Sequence, residues 1–216
     1  MTLTLWGRAS SVNVQKVLWA LAEFDLPFAH EIVGGRYGGT DTAAFAALSP
    51  VPKVPVLQDG RAGVWESHAI LRHLARIAPA HPLGEAMANP ARAARIDPWM
   101  DFATSTLMPP FIGLFWQRVR MPAADRSADV QARHLKGLGA ALGVVERALG
   151  DGRAHLAGDA FSLADIAAGT PLHRVFDVAP ELDGTVPHVR AWHARLGARP
   201  GHVRHVAVDY DELKVQ

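Results

Sequence analysis

The chain has 216 residues, of which 49% are hydrophobic and 20% are charged, and its formal net charge at pH 7 is +1. This near-neutral balance creates no strong field for nucleic acid or an anionic membrane surface. The absence of cysteine excludes disulfides, thiolate metal sites and a cysteine nucleophile belonging to the protein. No apolar run approaches the roughly 20 residues of a membrane span. No signal peptide is apparent, so the sequence predicts a soluble, cytoplasmic protein.

The first part of the chain alternates between strand and helix patterns. Residues 2–6 alternate between apolar and polar, which predicts a strand, and apolar residues at helical spacing predict an amphipathic helix over residues 12–24. A second strand is predicted over residues 28–33, followed by a short helix. The pair Asp59-Gly60 then predicts a hairpin turn between two more strands, after which another helix begins. This order is typical of a small α/β layer.

Almost everything after the α/β layer has helical spacing. Residues 79–89 contain prolines and a glycine that break the pattern, and we predict a linker there. The predicted domains are therefore an α/β domain over residues 1–78 and an all-α domain over residues 90–216. Residues 90–120 are predicted as one long helix that bends at a pair of prolines.

Two further patterns predict how the helical domain is built. Apolar residues recur at alternating steps of three and four, which indicates the buried stripe of a bundle helix; they are Leu135, Leu138, Leu142, Val145 and Leu149. Ser162 and Asp165 have the spacing of a capping box, with aspartate in place of the usual glutamate. A last helix is predicted over residues 186–196.

Polar residues cluster where the first predicted helix begins. Ser10, Ser11 and Asn13 are all residue types that cap helices, so one interpretation is purely structural. The other interpretation is that they hold a reactive anion, because a helix N-terminus offers unpaired N–H groups and a partial positive charge. The residues alone leave both interpretations open.

Four motifs in chain order carry a resemblance to a known family: SSVNVQKVLWAL, SPVPKVPVL, VWESHAI and FSLADI. Together they resemble the cytosolic glutathione S-transferase superfamily, and especially its bacterial theta-like and nu-like members. The resemblance implies a thioredoxin-like N-terminal domain that binds glutathione and an all-α helical-bundle domain with a pocket for a hydrophobic electrophile. It implies a homodimer with a role in detoxification, with glutathione as cosubstrate and no metal or other cofactor.

The resemblance implies that the opening cluster activates the glutathione thiol. Ser11 is the first-choice donor to the sulfur, Asn13 the second, and Ser10 a competitor because zeta-like relatives favour the first serine of such a pair. A thiol with a pKa of about 8.5 is only ~3% ionised at pH 7. Lowering that pKa to about 6.5 gives ~75% thiolate and needs about 2.7 kcal/mol. A hydroxyl hydrogen bond with the helix dipole is of this size.

The resemblance also assigns the glutathione contacts. It implies a cis peptide bond between Val54 and Pro55, which leaves the Val54 backbone free to pair with an extended peptide. An ordinary proline at the start of a strand is the alternative. Lys53 faces either the glycyl carboxylate or solvent. Glu66 and Ser67 suit the ammonium and carboxylate groups of the γ-glutamyl end, although a simple helix cap is again the alternative.

The second-substrate pocket is predicted on the long helix of the helical domain. Its candidate residues are Phe111, Phe115, Trp116 and Arg118. The aromatic residues are equally typical of a core or interface, and the arginine of a solvated helix face. Three alternative functions remain beside conjugation: glutathione-dependent reduction of a disulfide or peroxide, isomerisation of a double bond, and ligand binding without turnover.

Overall fold

The computed structural model describes residues 3–215, and its chain divides into two compact units. One unit ends at Ala93 and also includes Pro200–Val208; the other comprises Ala94–Arg199 and the chain from Asp209 onward. The domain limits predicted from the sequence differ from this division, because the first unit extends to Ala93 and also takes in Pro200–Val208. Within the described residues, no helix is long and apolar enough to cross a membrane.

The first unit is built on a mixed sheet of four strands. The strands are β1 (Leu3–Trp6), β2 (Phe28–Glu31), β3 (Val56–Asp59) and β4 (Ala62–Trp65), in the order β2-β1-β3-β4. β1 is parallel to β2, whereas β3 is antiparallel to both β1 and β4. The predicted Asp59-Gly60 hairpin is confirmed, since Gly60 takes the positive φ of 60° that such a turn needs. Residue 2 of the first predicted strand lies outside the described residues.

Four helices accompany these strands in the first part of the chain: α1 (Val12–Glu23), α2 (Ala43–Ala46), α3 (Ser67–Ile77) and α4 (Pro82–Ala88). α4 lies within the residues predicted as a linker, so this stretch is helical and not irregular. Pro82 stands at the start of α4, where its missing N–H costs nothing, and the His81 ring accepts a hydrogen bond of 3.2 Å from the N–H of Leu83. Pro82 therefore begins a helix instead of interrupting the fold.

The second unit is helical. Its helices are α5 (Pro90–Phe102), which begins within the first unit, and then α6 (Met108–Phe115), α7 (Ala128–Leu149), α8 (Leu163–Gly169), α9 (Leu172–Val178) and α10 (Pro187–Gly197). The predicted long helix is interrupted by π-helical turns at Ala103–Leu107 and Trp116–Arg120. Pro109 and Pro110 cannot donate to carbonyls one turn earlier, and those carbonyls fall in the first π-helical segment.

A last helix, α11 (Pro200–His205), returns to the first unit. Both α3 and α11 pack against α1. All residues of α1 from Val14 to Leu21 are consequently buried, including Gln15 and Lys16. The helix predicted over residues 12–24 and the burial of its apolar positions are confirmed, and its burial extends to polar residues because packed helices cover it.

A buried carboxylate organises the second unit. Asp165, in the first turn of α8, is fully buried, and the predicted capping box with Ser162 is confirmed. Its Oδ2 accepts hydrogen bonds from the N–H (2.8 Å) and the hydroxyl (2.9 Å) of Ser162. Its Oδ1 accepts from the N–H of Leu156 at 3.1 Å and from the indole of Trp192 at 2.9 Å. One side chain thus joins α8, α10 and the loop before α8.

Candidate functional site

A cleft in the first unit brings most of the predicted glutathione residues together. Its lining comprises Asn13, Ser49, Val51, Lys53, Val54, Pro55, Trp65, Glu66 and Ser67. The start of α1, the turn before β3 and the start of α3 therefore meet around one space. Six of the predicted residues line this cleft, whereas Ser10 and Ser11 do not. Ser49, Val51 and Trp65 also line it; they lie in the quoted motifs, but the sequence assigned them no role.

The start of α1 presents its polar residues in different ways. Ser11 is the residue at the N-cap position, but its side chain makes no capping hydrogen bond. Asn13 reaches the cleft wall from the first turn of α1. Ser10 is buried, with 8% of its surface exposed. Because the Ser11 hydroxyl is not used to cap the helix, it remains able to donate to a bound anion at this helix end.

The turn before β3 contains the cis peptide bond between Val54 and Pro55 that the resemblance implied. Val54 lies outside the sheet register, which begins at Val56. Within the described chain, neither the N–H nor the carbonyl of Val54 has a backbone hydrogen-bond partner. These two groups are available for pairing with an extended peptide in the way that the unpaired edge of a sheet is. Lys53 beside them is exposed.

The start of α3 has an unusual backbone. Glu66 precedes the first residue of α3 with φ of 66° and ψ of 120°, a left-handed conformation that costs a non-glycine residue about 1–3 kcal/mol. Its side chain forms no cap hydrogen bond and is exposed, whereas Ser67 is buried with 7% exposure. Neither residue acts as an ordinary cap, which favours the interpretation that this helix start receives a charged ligand.

Sequence reasoning missed two buried polar residues behind the cleft, Lys16 and His68. The Nζ atom of Lys16 is 3.1 Å from Asn13 Oδ1 and 3.1 Å from His68 Nε2. Lys16 is 1% exposed and His68 is 6% exposed. Burial lowers the pKa of the Lys16 ammonium group to about 7, although the negative charge of Glu66 opposes the change. The sequence signal that could have identified Lys16 is a charged residue within an otherwise apolar stretch of a helix.

We expect Lys16 to make the free energy of unfolding increase as the pH rises above neutral. Between about pH 7 and about pH 10 the folded state loses the Lys16 proton while the unfolded state keeps it, so stability rises with pH. We compare the free energy of unfolding of the wild type with that of Lys16→Met. The difference, wild type minus variant, should increase by about 1 kcal/mol per pH unit over this range. Urea unfolding at several pH values measures this difference. Lys136→Met, at an exposed position of α7, should show no such trend, and a flat difference for Lys16→Met would contradict the prediction.

The structure treats the predicted second-substrate residues differently. Phe111 and Phe115 are buried, with ring centroids 5.8 Å apart, and Phe115 also contacts Tyr210. Trp116 is 48% exposed. The Arg118 guanidinium is occupied by the Glu181 carboxylate at 2.8 Å and 3.0 Å and by the carbonyl of Val178, so it is not a free anchor for a ligand carboxylate.

The second unit does contain a cavity of about 760 Å³. Its walls are the middle turns of α5 and the loop after α7, with Trp99, Arg95 and Arg153 among the lining residues. None of the four predicted second-substrate residues lines this cavity. The predicted residues and this cavity are therefore separate features of the helical unit.

Comparison with known proteins agrees with this architecture. Residues 1–76 match the model of the glutathione S-transferase N-terminal domain, and residues 96–200 match that of the C-terminal domain. Glutathione S-transferase GstB of Escherichia coli K12 is 34% identical over 201 residues, which cover 92% of this chain and 94% of that protein. Glutathione S-transferase theta-1 of Bos taurus is 31% identical over 82% of this chain and 75% of its own length.

A solved structure is similar throughout. The theta class glutathione S-transferase of Xanthomonas axonopodis pv. citri, with glutathione bound, superposes with a TM-score of 0.87 at 38% identity, covering 96% of this chain and 98% of that one. A thioredoxin-like unit followed by a helical unit defines the class of protein. The chain belongs to the glutathione S-transferase family, whose members are transferase enzymes.

Proposed function

We propose that this protein binds glutathione in the cleft of its first unit, stabilises the thiolate, and directs it at an apolar electrophile. The observation that carries the proposal is the convergence of three polar element ends on one cleft: the start of α1, the Val54–Pro55 turn and the start of α3. The glutathione-bound structure of the Xanthomonas relative supports the choice of ligand. The proposal includes a homodimer in the cytoplasm, where a reduced glutathione pool is available.

The cleft offers a complementary group for each part of glutathione. We assign the γ-glutamyl carboxylate to Ser67 and the N–H groups of α3, and the adjacent ammonium group to the exposed Glu66. The backbone of Val54 is assigned to the cysteinyl peptide groups, and the exposed Lys53 to the glycyl carboxylate. The sulfur then lies towards Ser11 and Asn13.

The chemistry assigned to the site is nucleophilic attack by the ligand's own sulfur. The protein has no cysteine, so every reactive thiol in the reaction belongs to glutathione. The thiolate forms a bond to the electrophilic carbon while the leaving group departs with its electron pair, or an activated double bond takes up the electrons and then a proton. The contribution of the protein is a lower thiol pKa together with a fixed orientation of the sulfur.

Titration of the thiolate absorbance of bound glutathione tests this function. We expect the wild type to hold the thiol pKa near 6.5, about 2 below the free value. A bound thiol with the ordinary value would remove thiol activation from the proposal. Turnover of an apolar chloroaromatic electrophile, compared with a disulfide and a peroxide, then separates conjugation from reduction.

Ser67→Ala is expected to weaken glutathione binding without unfolding the protein. The hydroxyl is assigned to a charged carboxylate, and a hydrogen bond to a charged group is worth about 1.5–3 kcal/mol, so the dissociation constant should rise by about 10-fold or more. Isothermal titration calorimetry measures the change. Ser105→Ala, at an exposed position of the helical unit, is the matched control and should bind as the wild type does. Unchanged affinity in Ser67→Ala would contradict the assignment.

A further inference from the structure

The buried Lys16 side chain lies behind the cleft and connects two walls of the cleft, α1 and α3. Its Nζ atom lies 3.1 Å from Oδ1 of Asn13, which lines the cleft from α1. The same atom lies 3.1 Å from Nε2 of His68, which follows the cleft residue Ser67 in α3. Lys16 itself does not line the cleft, so any effect it has on a ligand passes through its neighbours.

We propose that Lys16 is a positioning residue of the glutathione site, which holds the Asn13 carboxamide so that its NH₂ group faces the cleft and donates to the sulfur. This inference rests on the proposed function, because it assumes that the glutathione thiol is bound beside Asn13. Under this inference, Lys16 does not touch the ligand, yet it contributes to stabilising the thiolate.

Hydrogen-bond chemistry decides which way the carboxamide faces. Below its pKa of about 7, Lys16 carries an ammonium group with three donors and no acceptor, so the atom of Asn13 that faces it is the carbonyl oxygen. With Oδ1 held by Lys16, the NH₂ group is the part of the carboxamide left for the cleft. An N–H donor favours a thiolate, whereas a carboxamide turned round would place oxygen lone pairs against the sulfur and favour the neutral thiol.

The cost of burying this amine indicates a role beyond packing. A buried amine is expensive unless its hydrogen bonds are made, and a methionine of similar shape would fill the same position among the apolar residues of α1. His68 accepts a second hydrogen bond from Lys16 when the imidazole carries its proton on Nδ1. The amine is thereby anchored between α1 and α3, which fixes the point from which it holds Asn13.

A double-mutant cycle on bound glutathione tests the inference. The thiol pKa is measured by thiolate absorbance in the wild type, Lys16→Met, Asn13→Ala and the double variant. We expect each single change to raise the thiol pKa by about 1, and the double change to raise it no more than Asn13→Ala does. Lys136→Met, at an exposed position of α7, should leave the thiol pKa unchanged.

Two results of the cycle would overturn the inference while leaving the proposed function intact. One is a thiol pKa that stays at the wild-type value in Lys16→Met. The other is an additive increase in the double variant, which would mean that Lys16 acts on the sulfur independently of Asn13. A wild type that does not lower the thiol pKa would overturn both the proposed function and the inference.

A measurement on the wild type keeps the inference testable if Lys16→Met fails to fold. In the glutathione complex, nuclear Overhauser effects should connect the Asn13 side-chain NH₂ protons with the cysteinyl methylene protons of glutathione. If the NH₂ protons are close to the Lys16 ε-methylene protons and not to the ligand, the carboxamide faces the other way and the inference is wrong.

Discussion

Asp165→Ala is expected to unfold the helical unit or to lower its melting temperature by more than about 10 °C. The change removes the shared acceptor of four donor groups, which are the N–H of Leu156, the N–H and hydroxyl of Ser162 and the indole N–H of Trp192; all four donate to a fully buried carboxylate. A buried donor left without a partner costs about 1–3 kcal/mol, so the combined loss is at least about 4 kcal/mol. An ordinary domain is stabilised by about 5–15 kcal/mol, so this loss is most of the stability at the lower end of that range. Calorimetry and circular dichroism measure the effect.

Asp165→Asn separates the hydrogen bonds from the volume of the side chain. Both carboxylate oxygens act only as acceptors, so an amide NH₂ group in place of either oxygen faces donors instead of accepting from them. We therefore expect Asp165→Asn to be almost as harmful as Asp165→Ala. Asp159→Ala, at an exposed position in the preceding loop, should stay within about 0.5 kcal/mol of the wild type. A wild-type melting temperature for Asp165→Asn would show that these contacts do not control the stability of the unit.

Ser11→Ala is expected to raise the pKa of the bound glutathione thiol by about 1–2 and to lower kcat/KM by about 10- to 100-fold. The Ser11 hydroxyl makes no capping hydrogen bond, so its removal should change the stabilisation of the thiolate far more than the stability of α1. Thiolate absorbance against pH and steady-state turnover of an electrophile near pH 6.5 measure the two effects, because at about this pH the thiolate fraction depends most on the thiol pKa.

Two further variants show whether the hydroxyl of Ser11 is the donor. Ser11→Thr keeps a hydroxyl at the N-cap and should retain most of the lowered thiol pKa. Ser10→Ala, at the more buried neighbouring position, should leave the thiol pKa close to that of the wild type. If the thiol pKa rises in Ser10→Ala and not in Ser11→Ala, the roles of the two serines are reversed.

Local patterns predicted most of the elements of the fold because their signals are local. The Asp59-Gly60 hairpin, the α7 stripe and the Ser162–Asp165 capping box each depend on residues a few positions apart. Predictions that depended on which distant segments pack against an element were less accurate. α4 was predicted as a linker because a proline at a helix start and a proline in a loop look the same until a neighbour packs on the helix.

For the candidate site, too, the sequence predicted local features better than contacts between distant segments. Motif order identified Asn13, Val54 and Glu66 as members of one site, and the structure places them on one cleft. Arg118 was a candidate anchor for the second substrate, but Glu181, distant in sequence, occupies its guanidinium. Lys16 was not singled out, because its burial depends on α3 and α11 covering α1 from positions far along the chain.

The sequence by itself determined the family, the order of most elements and the absence of a cysteine thiol in the chain. These are properties of residue type and short-range spacing. Only the tertiary structure decided that the Ser11 hydroxyl is not used as a cap, that Glu66 takes a left-handed backbone, and that Lys16 is buried against Asn13 and His68. The physical reason is that burial, strain and hydrogen-bond pairing belong to pairs of distant segments, and no single stretch of the chain contains them.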